Sequence, residues 1–461
     1  MTVTDPEAVP GTDAPGTEAG DPARTYALDR RHVFHSWSAQ AEITPMVITR
    51  AEGSYVWDGE GNRLLDFSSQ LVNTNIGHQH PEVVEAIAAQ ARRLATVAPQ
   101  YANDQRSEAA RLIAGHAPGD LEKVFFTNGG ADANEHAVRM ARLVTGRPKV
   151  LTRYRSYHGG TQTAINLTGD PRRWANDDGR SGVVHFFGPY LYRSAFHATT
   201  EAEECARALA HLEQVIELEG PATVAALLLE AVPGTAGIMV PPPGYLAGVR
   251  ELCDRYGILL VLDEVMTGFG RTGAWFHCAE EGVVPDLLTF AKGVNSGYVP
   301  LGGVVLGERI AAHFAHRPYP GGLTYSGHPL ACAAAVAAMT VMERDGVVDH
   351  ARRIGADVIG PRLARLAERH PSVGEVRGRG VFWAVELVRD RGTREPVEAA
   401  GGGRIMAEAV GTARGAGLLP FTNAHRIHAV PPCTVTEAEA HEGLDLLDRV
   451  LDRVDELVAG A

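Results

Sequence analysis

Three residues suited to amine chemistry each stand at the end of an apolar run in this chain of 461 residues. Lys292 follows LLTFA, Asp263 ends ILLVLD and Glu230 ends VAALLLE. A lysine amine can hold a carbonyl compound as an imine and later move a proton, and a carboxylate can keep a ring nitrogen protonated. Because ligands of parallel α/β sheets bind beside the carboxyl ends of the strands, these positions predict one shared site.

Lysine is scarce in this chain, which narrows the choice of an imine-forming residue. Only Lys123, Lys149 and Lys292 are lysines among the 43 lysines and arginines. Lys123 and Lys149 each begin an apolar run, at the strand end opposite to the expected site, where a solvated surface charge explains them. We therefore predict that Lys292 is the reactive lysine.

A glycine pair adds a third feature to this set. Gly129 and Gly130 follow the run KVFFT and precede Ala131, at the start of a predicted helix over 132–144. Backbone N–H groups at a helix N-terminus bind phosphate, although an ordinary strand-to-helix turn has the same appearance. A reactive lysine, an aspartate and a phosphate-binding helix start are together what pyridoxal phosphate needs. The sequence therefore predicts pyridoxal 5′-phosphate as the cofactor.

The apolar runs alternate with helical stretches from Pro81 to Ile310, which is typical of an α/β domain with a mainly parallel sheet. The predicted strands are Lys123–Thr127, Lys149–Arg153, Val183–Phe187, Val224–Glu230, Ile258–Asp263, Leu287–Ala291 and Gly303–Leu306. We predict a disordered N-terminal tail over 1–24, a large domain over 81–340, and a small α+β domain from 25–80 and 341–461. Thr436 and Glu439 predict a capping box for the final helix.

The composition argues against several classes of partner. The net charge of −13 disfavours nucleic acid and anionic membrane surfaces. The apolar stretches are too short to span a bilayer, and residues 1–24 lack the apolar core of a signal peptide. Five separated cysteines with no CxxC pair predict a reducing compartment, the cytoplasm, and neither a disulfide framework nor a metal site.

Six segments of the chain resemble, in order, those of the class III (ω-)aminotransferases. These are fold-type I pyridoxal phosphate enzymes with a large domain on a mainly parallel sheet and a smaller α+β domain built from both chain ends. The segments are GHQHPEV (77–83), FFTNGGADANEHAVRMAR (125–142), SYHG (156–159), LDEVMTGFGRTG (262–273), AKGVNSGYVPLGG (291–303) and TYSGHPLACAAA (324–335). The resemblance covers about residues 30–455, and six segments in the family's order are a highly specific match.

The resemblance implies roles for individual residues at the cofactor ring. It implies that Lys292 is the Schiff-base lysine and that Asp263 is the partner of the pyridine nitrogen. Glu230 would support Asp263 or the surroundings of Asp263. Val265 would cover one face of the ring and Tyr157 the other.

The resemblance also implies how the phosphate is bound. Gly130 and Ala131 would contact it from one subunit, and Thr324 of the partner subunit would contact it from the other. Many members have a serine where this chain has Ala131, so one hydroxyl contact is lost. The family is dimeric, so the resemblance implies a homodimer with shared active sites, with a tetramer as the alternative assembly.

Departures from the family's pattern concern the substrate. Phe421 stands where many members have a mobile arginine, Thr235 where its glutamate partner stands, and Val72 where amine:pyruvate members have a tryptophan. Since phenylalanine cannot pair with a carboxylate, we predict weak use of 2-oxoglutarate and preferred use of small acceptors such as pyruvate. Arg426, and next Arg155, are candidates for the substrate's acid group, with a solvated loop charge as the other interpretation of Arg426. The pattern is most similar to the taurine/β-alanine:pyruvate branch.

The predicted function is that of an aminotransferase moving an amino group from an ω-amino acid or primary amine to a small α-keto acid. A racemase, aminomutase or decarboxylase on the same fold is the first alternative, and a cofactor-free Schiff-base lyase or a binding protein is more remote. Gly268–Gly273 matches the dinucleotide pattern GxGxxG. Because this run begins five residues beyond Asp263 and no long helix is predicted after it, a dinucleotide site is not expected.

Overall fold

The computed structural model describes residues 20–176, 182–398 and 403–460. Its strands, in chain order, are β1 (Ile48–Glu52), β2 (Tyr55–Asp58), β3 (Arg63–Phe67), β4 (Lys123–Thr127), β5 (Lys149–Arg153), β6 (Val183–Phe186), β7 (Val224–Glu230), β8 (Leu259–Asp263), β9 (Leu287–Phe290), β10 (Gly302–Leu306), β11 (Val373–Arg379), β12 (Phe382–Asp390), β13 (Glu395–Pro396), β14 (Leu418–Asn423) and β15 (Arg426–Ala429).

The α-helices are α1 (Pro22–His32), α2 (Ser69–Val72), α3 (Pro81–Arg93), α4 (Asp104–His116), α5 (Gly130–Thr145), α6 (Gln162–Leu167), α7 (Glu201–Glu219), α8 (Tyr245–Tyr256), α9 (His277–Glu280), α10 (Glu308–His313), α11 (Pro329–Arg344), α12 (Val347–Ile354), α13 (Gly360–Arg369), α14 (Arg404–Ala416) and α15 (Glu437–Ala459). A π-helical turn, Gly355–Ile359, joins α12 to α13.

The middle of the chain forms a sheet of seven strands in the order β4-β10-β9-β8-β7-β5-β6. Only β10 is antiparallel to its neighbours, β4 and β9. Every residue of β7 and β8 is buried, as expected for parallel strands covered on both faces. The seven predicted strands are all present, with ends that differ by no more than one residue, so the predicted mainly parallel sheet is confirmed.

Both ends of the chain contribute to a second sheet, of eight strands. Its order is β1-β2-β3-β14-β15-β12-β11, with β13 paired to β12. The pairing of β3 with β14 is parallel and joins the N-terminal strands to the C-terminal ones. The predicted domain boundary at 340/341 falls inside α11, so the division into domains stays a prediction.

The C-terminal helix has the start and the apolar stripe that the sequence predicts. Glu439 N donates to Thr436 Oγ1 at 3.2 Å, and Thr436 N donates to Glu439 Oε2 at 2.8 Å, which is the predicted capping box. Leu444, Leu447 and Leu451 of its stripe are buried. The helix packs against α14, β14 and β3, and so it covers the strands from both chain ends.

The N-terminal segment differs from its prediction. Residues 1–19 of the predicted tail lie outside the described residues, but α1 begins at Pro22, within the range 1–24. The Asp21 side chain accepts from Ala23 N, and proline at the first helical position favours this start. Within the described ranges, no helix is long and apolar enough to cross a membrane.

Candidate active site

Asp263 and Glu230 lie side by side as paired residues at the ends of β8 and β7. Asp263 Oδ2 accepts hydrogen bonds of 2.8 Å from Asn134 Nδ2 and from His158 Nδ1, and Oδ1 accepts one of 3.0 Å from Val265 N. Asp263 is almost fully buried. These bonds fix the plane of a buried carboxylate at the carboxyl edge of the sheet.

Glu230 connects this carboxylate to the loop that carries Tyr157. Its Oε1 accepts from Tyr157 N at 2.9 Å and its Oε2 accepts from Gly234 N at 2.8 Å. Burial raises the pKa of Glu230, and the charge of Asp263 acts in the same direction. Glu230 thus fixes the backbone of Tyr157 directly beside Asp263.

Lys292 follows β9 and opens a short 3₁₀ turn, Lys292–Asn295. Its φ of 49° lies in the left-handed region, where a residue with a Cβ atom is strained, and such strain is frequent at functional sites. Burial lowers the pKa of Lys292 to about 8, even though the charges of Asp263 and Glu230 act to raise it. With this lowered pKa, a larger fraction of the Lys292 amine is neutral and nucleophilic near neutral pH than for an exposed lysine.

Two glycines allow the loops around the start of α5 to approach closely. A Cβ atom on Gly130 would lie 2.9 Å from both methyl carbons of Val265. A Cβ atom on Gly159 would lie 2.5 Å from that of Ala131, and the φ of Gly159 is +136°. The helix start is therefore packed between the loop after β8 and the loop after Tyr157, with backbone N–H groups available for an anion.

These residues fit pyridoxal phosphate. A buried carboxylate held by Asn134 and His158 suits a protonated ring nitrogen, and a lysine with a lowered pKa stands next to it. The helix start at Gly130 suits a phosphate, and the close packing of Gly130 on Val265 leaves no room there for a larger side chain.

The predicted substrate residues Val72 and Phe421 lie in one apolar cluster. Its buried members are Val72, Val232, Ile238, Met266, Phe382, Ala384 and Val430, with Phe421 packed against them. Thr235 is next to this cluster, because its hydroxyl contacts Met266 Sδ at 3.7 Å. Val72 is buried with a φ of 59°, which is unusual for a β-branched residue. The structure thus forms one apolar wall from residues far apart in sequence.

The two predicted arginines lie close to each other. Arg426 Nε donates to Glu386 Oε2 at 3.4 Å, and the guanidinium of Arg155 lies 5.1 Å from the ring centre of Tyr190. Loss of contact with water lowers the pKa of Arg155, and the charge of Arg426 acts in the same direction. Arg426 is therefore paired with a carboxylate and is not a solvated loop charge.

Thr324 is the cofactor residue that the sequence analysis assigns to the phosphate of the partner subunit. It is exposed, in the turn that precedes α11. Its contact with a partner chain's phosphate stays a prediction.

The segment Gly268–Gly273, which matches the dinucleotide pattern GxGxxG, forms tight turns followed by the four-residue helix α9. It therefore lacks the long helix of a dinucleotide site.

Sequence reasoning missed several residues of this site. Asn134 and His158 contact Asp263, and the guanidinium of Arg172 lies 3.7 Å from the ring centre of Tyr157. Arg172 Nε in turn donates a hydrogen bond of 3.0 Å to Asp170 Oδ2. His158 stands next to Tyr157 in the segment SYHG, and that neighbourhood was the available signal. We see no sequence signal that would have placed Arg172 on Tyr157.

Comparison with known proteins decides the family. The family model for class III aminotransferases matches residues 37–451. The chain belongs to the class III aminotransferases. It is 34% identical to the putrescine–pyruvate aminotransferase of Pseudomonas aeruginosa, over 93% of this chain and 95% of that protein. It is 33% identical to the taurine–pyruvate aminotransferase of Rhodobacter capsulatus, over 94% of this chain and 98% of that protein.

A solved structure agrees with the fold as well. The taurine:2-oxoglutarate aminotransferase of Bifidobacterium kashiwanohense, in complex with PLP and glutamate, superposes with a TM-score of 0.91 at 42% identity. The match covers 95% of this chain and 99% of that one. The predicted fold-type I architecture and aminotransferase family are confirmed. An aminotransferase acts on an amine donor and a keto acid acceptor. The finding favours aminotransferase function over the racemase, aminomutase and decarboxylase alternatives and over the more remote lyase and binding-protein ones.

Proposed function

We propose that this class III aminotransferase moves the amino group of an ω-amino acid or primary amine to a small α-keto acid such as pyruvate. The cofactor is pyridoxal 5′-phosphate. When bound, it supplies the aldehyde that takes up the amino group and the ring that stabilises negative charge on the substrate carbon. The observation that carries the proposal is the lysine of lowered pKa, Lys292, beside the paired carboxylates Asp263 and Glu230.

Each residue then has a defined task. Lys292 would hold the cofactor through its Nζ, and its free amine would carry a proton to or from the substrate carbon. Asp263 would keep the ring nitrogen protonated, and Asn134 and His158 orient the carboxylate of Asp263. Tyr157 and Val265 would enclose the ring, while Gly130 and Ala131 present N–H groups to the phosphate.

The choice of a small acceptor rests on the apolar wall. Phe421 and Val72 offer no charge to a second carboxylate, and burying an unpaired carboxylate against them is costly. The names of two of the relatives contain pyruvate, whereas the Bifidobacterium enzyme is named for 2-oxoglutarate. We propose pyruvate for this chain because its single acid group needs only one cationic partner.

The test is a pair of half-reactions followed by absorbance. An ω-amino acid such as β-alanine should convert the bound cofactor stoichiometrically to its pyridoxamine form, which only transamination does. The isolated pyridoxamine form is then mixed with pyruvate or with 2-oxoglutarate. Faster recharging by pyruvate supports the proposal. Release of a product without pyridoxamine formation would reject transamination, and faster recharging by 2-oxoglutarate would reject the acceptor.

We also propose a homodimer that shares its active sites. Helix α1 has 11 residues and none of them is buried, although isolated helices of that length are marginal in water. Phe34 is 85% exposed, Trp37 67% and Tyr325 61%, and a second copy of the chain would cover side chains of this kind. A second copy is the occupant that would also bring Thr324 to a neighbouring phosphate.

Co-expression of two inactive variants tests the shared site. Lys292→Ala and Thr324→Glu chains should each be inactive alone, the second because its carboxylate repels the phosphate. A mixed dimer contains one site free of both changes, so co-expression should restore part of the activity. A monomeric mass in light scattering, or no recovery in a verified mixed dimer, would contradict the arrangement.

The cytoplasm remains the proposed location. All five cysteines are free thiols in the structure, and four of them are buried. Unpaired thiols are typical of a reducing compartment. Fractionation of cells that express the tagged chain tests this, and recovery in a secreted fraction would contradict it.

A further inference from the structure

Helix α2 has a strained backbone although it carries no glycine. The φ angle is 43° at Ser69, 60° at Gln70 and 59° at Val72, which are left-handed values that a Cβ atom disfavours. Glycine adopts such values without this cost, but the sequence of α2 is SQLV. Strain of this kind persists only where the surrounding structure imposes it. Contacts from outside α2 must therefore hold these three residues.

One buried carboxylate supplies such contacts at the start of α2. Asp66, on β3, is fully buried, and its Oδ1 accepts from Ser68 N at 3.1 Å, Ser68 Oγ at 2.5 Å and Gln70 N at 3.4 Å. Its Oδ2 accepts from Gln70 Nε2 at 2.9 Å and from His78 Nε2 at 2.8 Å. Burial would raise the pKa of Asp66, but these hydrogen bonds hold it below its usual value. Asp66 is therefore a charged acceptor that fixes the residues on both sides of Ser69.

The far end of this segment is anchored independently of Asp66. Asn75 Nδ2 donates to Phe269 O at 2.7 Å, and Asn75 Oδ1 accepts from Arg271 Nη2 at 2.7 Å. Loss of the carboxylate would therefore loosen the stretch between the two anchors, residues 68–74, and leave the chain beyond Asn75 in place.

Val72 connects this stretch to the apolar wall of the candidate site, in which its side chain is buried. Its backbone N donates to Ser68 O at 3.1 Å, and Ser69 Oγ donates to the wall residue Val430, at its O atom, at 2.6 Å. If the φ angles along α2 returned to negative values, the Val72 side chain would leave this position. The place of Val72 in the wall therefore depends on Asp66, which holds Ser68.

We propose that Asp66 is a positioning residue for substrate specificity, because it holds α2 in its strained backbone and so keeps Val72 in the apolar wall. The inference rests on the proposed function and deepens it. With Val72 in place the wall is closed against bulky groups, so the favoured amine donors have slender, unbranched carbon chains. Asp66 is not itself a catalytic residue, since it acts only through Ser68, Gln70 and Val72.

The experiment compares benzylamine with 1-propylamine in the first half-reaction of the cofactor-loaded protein, followed by absorbance. The ratio of the two rates at low amine concentration does not depend on the folded fraction, so a loss of stability alone leaves it unchanged. Asp66→Asn keeps the shape of the side chain but replaces one acceptor oxygen with a donor. We expect the benzylamine to propylamine ratio to rise about tenfold, because the wall opens when Val72 leaves it. Asp58→Asn is the matched control and should leave the ratio unchanged, since Asp58 likewise holds a turn, by accepting from Glu60 N and Asn62 N at 2.9 Å.

Two further variants show whether Asp66 acts through Val72. Val72→Ala should also raise the ratio, and Asp66→Asn added to it should change the ratio by less than about threefold, because both changes act on one side chain. Gln70→Ala removes the Nε2 contact and spares the buried carboxylate. It should raise the ratio in the same direction, and it provides the test if Asp66→Asn does not fold.

Hydrogen exchange read by mass spectrometry gives a second readout that does not depend on turnover. Val72 N donates to Ser68 O and Asn73 N donates to Ser69 O, so both amides are protected while α2 keeps its form. They should exchange about tenfold faster in Asp66→Asn and at the wild-type rate in Asp58→Asn.

Three results would overturn the proposal: unchanged exchange of α2 in Asp66→Asn, a ratio within threefold of wild type in both Asp66→Asn and Gln70→Ala, or full additivity of Asp66→Asn with Val72→Ala. If no amine gives the pyridoxamine form, the proposed function fails and the specificity role fails with it. Hydrogen exchange then still decides whether Asp66 holds α2.

Discussion

At the scale of the residue, Lys292 owes its reactivity to where the chain places it. Burial lowers its pKa from 10.5 to about 8. At pH 7.5 a pKa of 8 leaves roughly a quarter of the amine neutral, compared with roughly one part in a thousand at the ordinary value. The burial of Lys292 after β9 therefore favours the neutral, nucleophilic form of its amine.

This lowered pKa predicts how the cofactor-free protein takes up pyridoxal phosphate. Only the neutral amine attacks the aldehyde, so the rate should rise as pH increases through about 8 and level off above it. Stopped-flow absorbance at a series of pH values measures this rate. Arg92→Met, a change of an exposed arginine on α3, serves as the control and should show the same dependence of the rate on pH as the wild type. A rate that still climbs tenfold per pH unit near pH 10 would contradict the lowered pKa.

Asp263 gives a second prediction at this scale. Asp263→Asn keeps the size of the side chain but loses the charge that holds a proton on the ring nitrogen. The rate of the first half-reaction should fall by about 100-fold or more, while the cofactor still binds. Absorbance gives both quantities on one sample. Rates within threefold of wild type would show that Asp263 has a structural role only.

At the scale of the element, the start of α5 must accept both Val265 and an anion. Gly130→Ala would place a Cβ atom 2.9 Å from the methyl carbons of Val265, so Val265 or the helix start has to shift. We expect at least a tenfold loss of cofactor affinity, measured by equilibrium dialysis. Gly129→Ala is the matched control, because a Cβ atom there meets nothing within 4 Å and its φ of 177° is extended. Equal affinities of the two variants would contradict this account.

The strands of the seven-stranded sheet could be predicted from the sequence because each is a continuous apolar run. The same pattern placed Asp263 beside Glu230, since the carboxyl ends of parallel strands share one edge. Contacts that depend on helix rotation or on distant loops gave no such signal. Asn134 contacts Asp263 from one face of α5. Glu386 and Arg426 lie opposite each other on the neighbouring strands β12 and β15 of the other sheet. Neither spacing nor periodicity specifies those meetings.

At the scale of the whole molecule, one buried arginine joins segments that are far apart in sequence. Arg271 is fully buried and donates to Asn75 Oδ1 at 2.7 Å, to Val381 O at 3.4 Å and to Pro431 O. Burial lowers its pKa. Because it serves neutral acceptors from three segments, removing it leaves those acceptors unsatisfied.

Arg271→Met should therefore destabilise the fold. Methionine fills part of the space but donates no hydrogen bond, and we expect a loss of about 3 kcal/mol in the free energy of unfolding. Urea unfolding at fixed protein and cofactor concentration measures it, since both shift the midpoint. Arg352→Met, an exposed arginine of α12, is the control. A loss below about 1 kcal/mol would show that water replaces the guanidinium without cost.

The most direct test of the central claim is to locate the lysine that carries the cofactor. Borohydride reduction of the cofactor-loaded protein makes the lysine bond permanent, and peptide mass spectrometry then identifies the labelled residue among the three lysines of the chain. The account predicts label on the peptide that contains Lys292 alone, in one copy per chain. Label on Lys123 or Lys149, or no label on a protein saturated with pyridoxal phosphate, would contradict it.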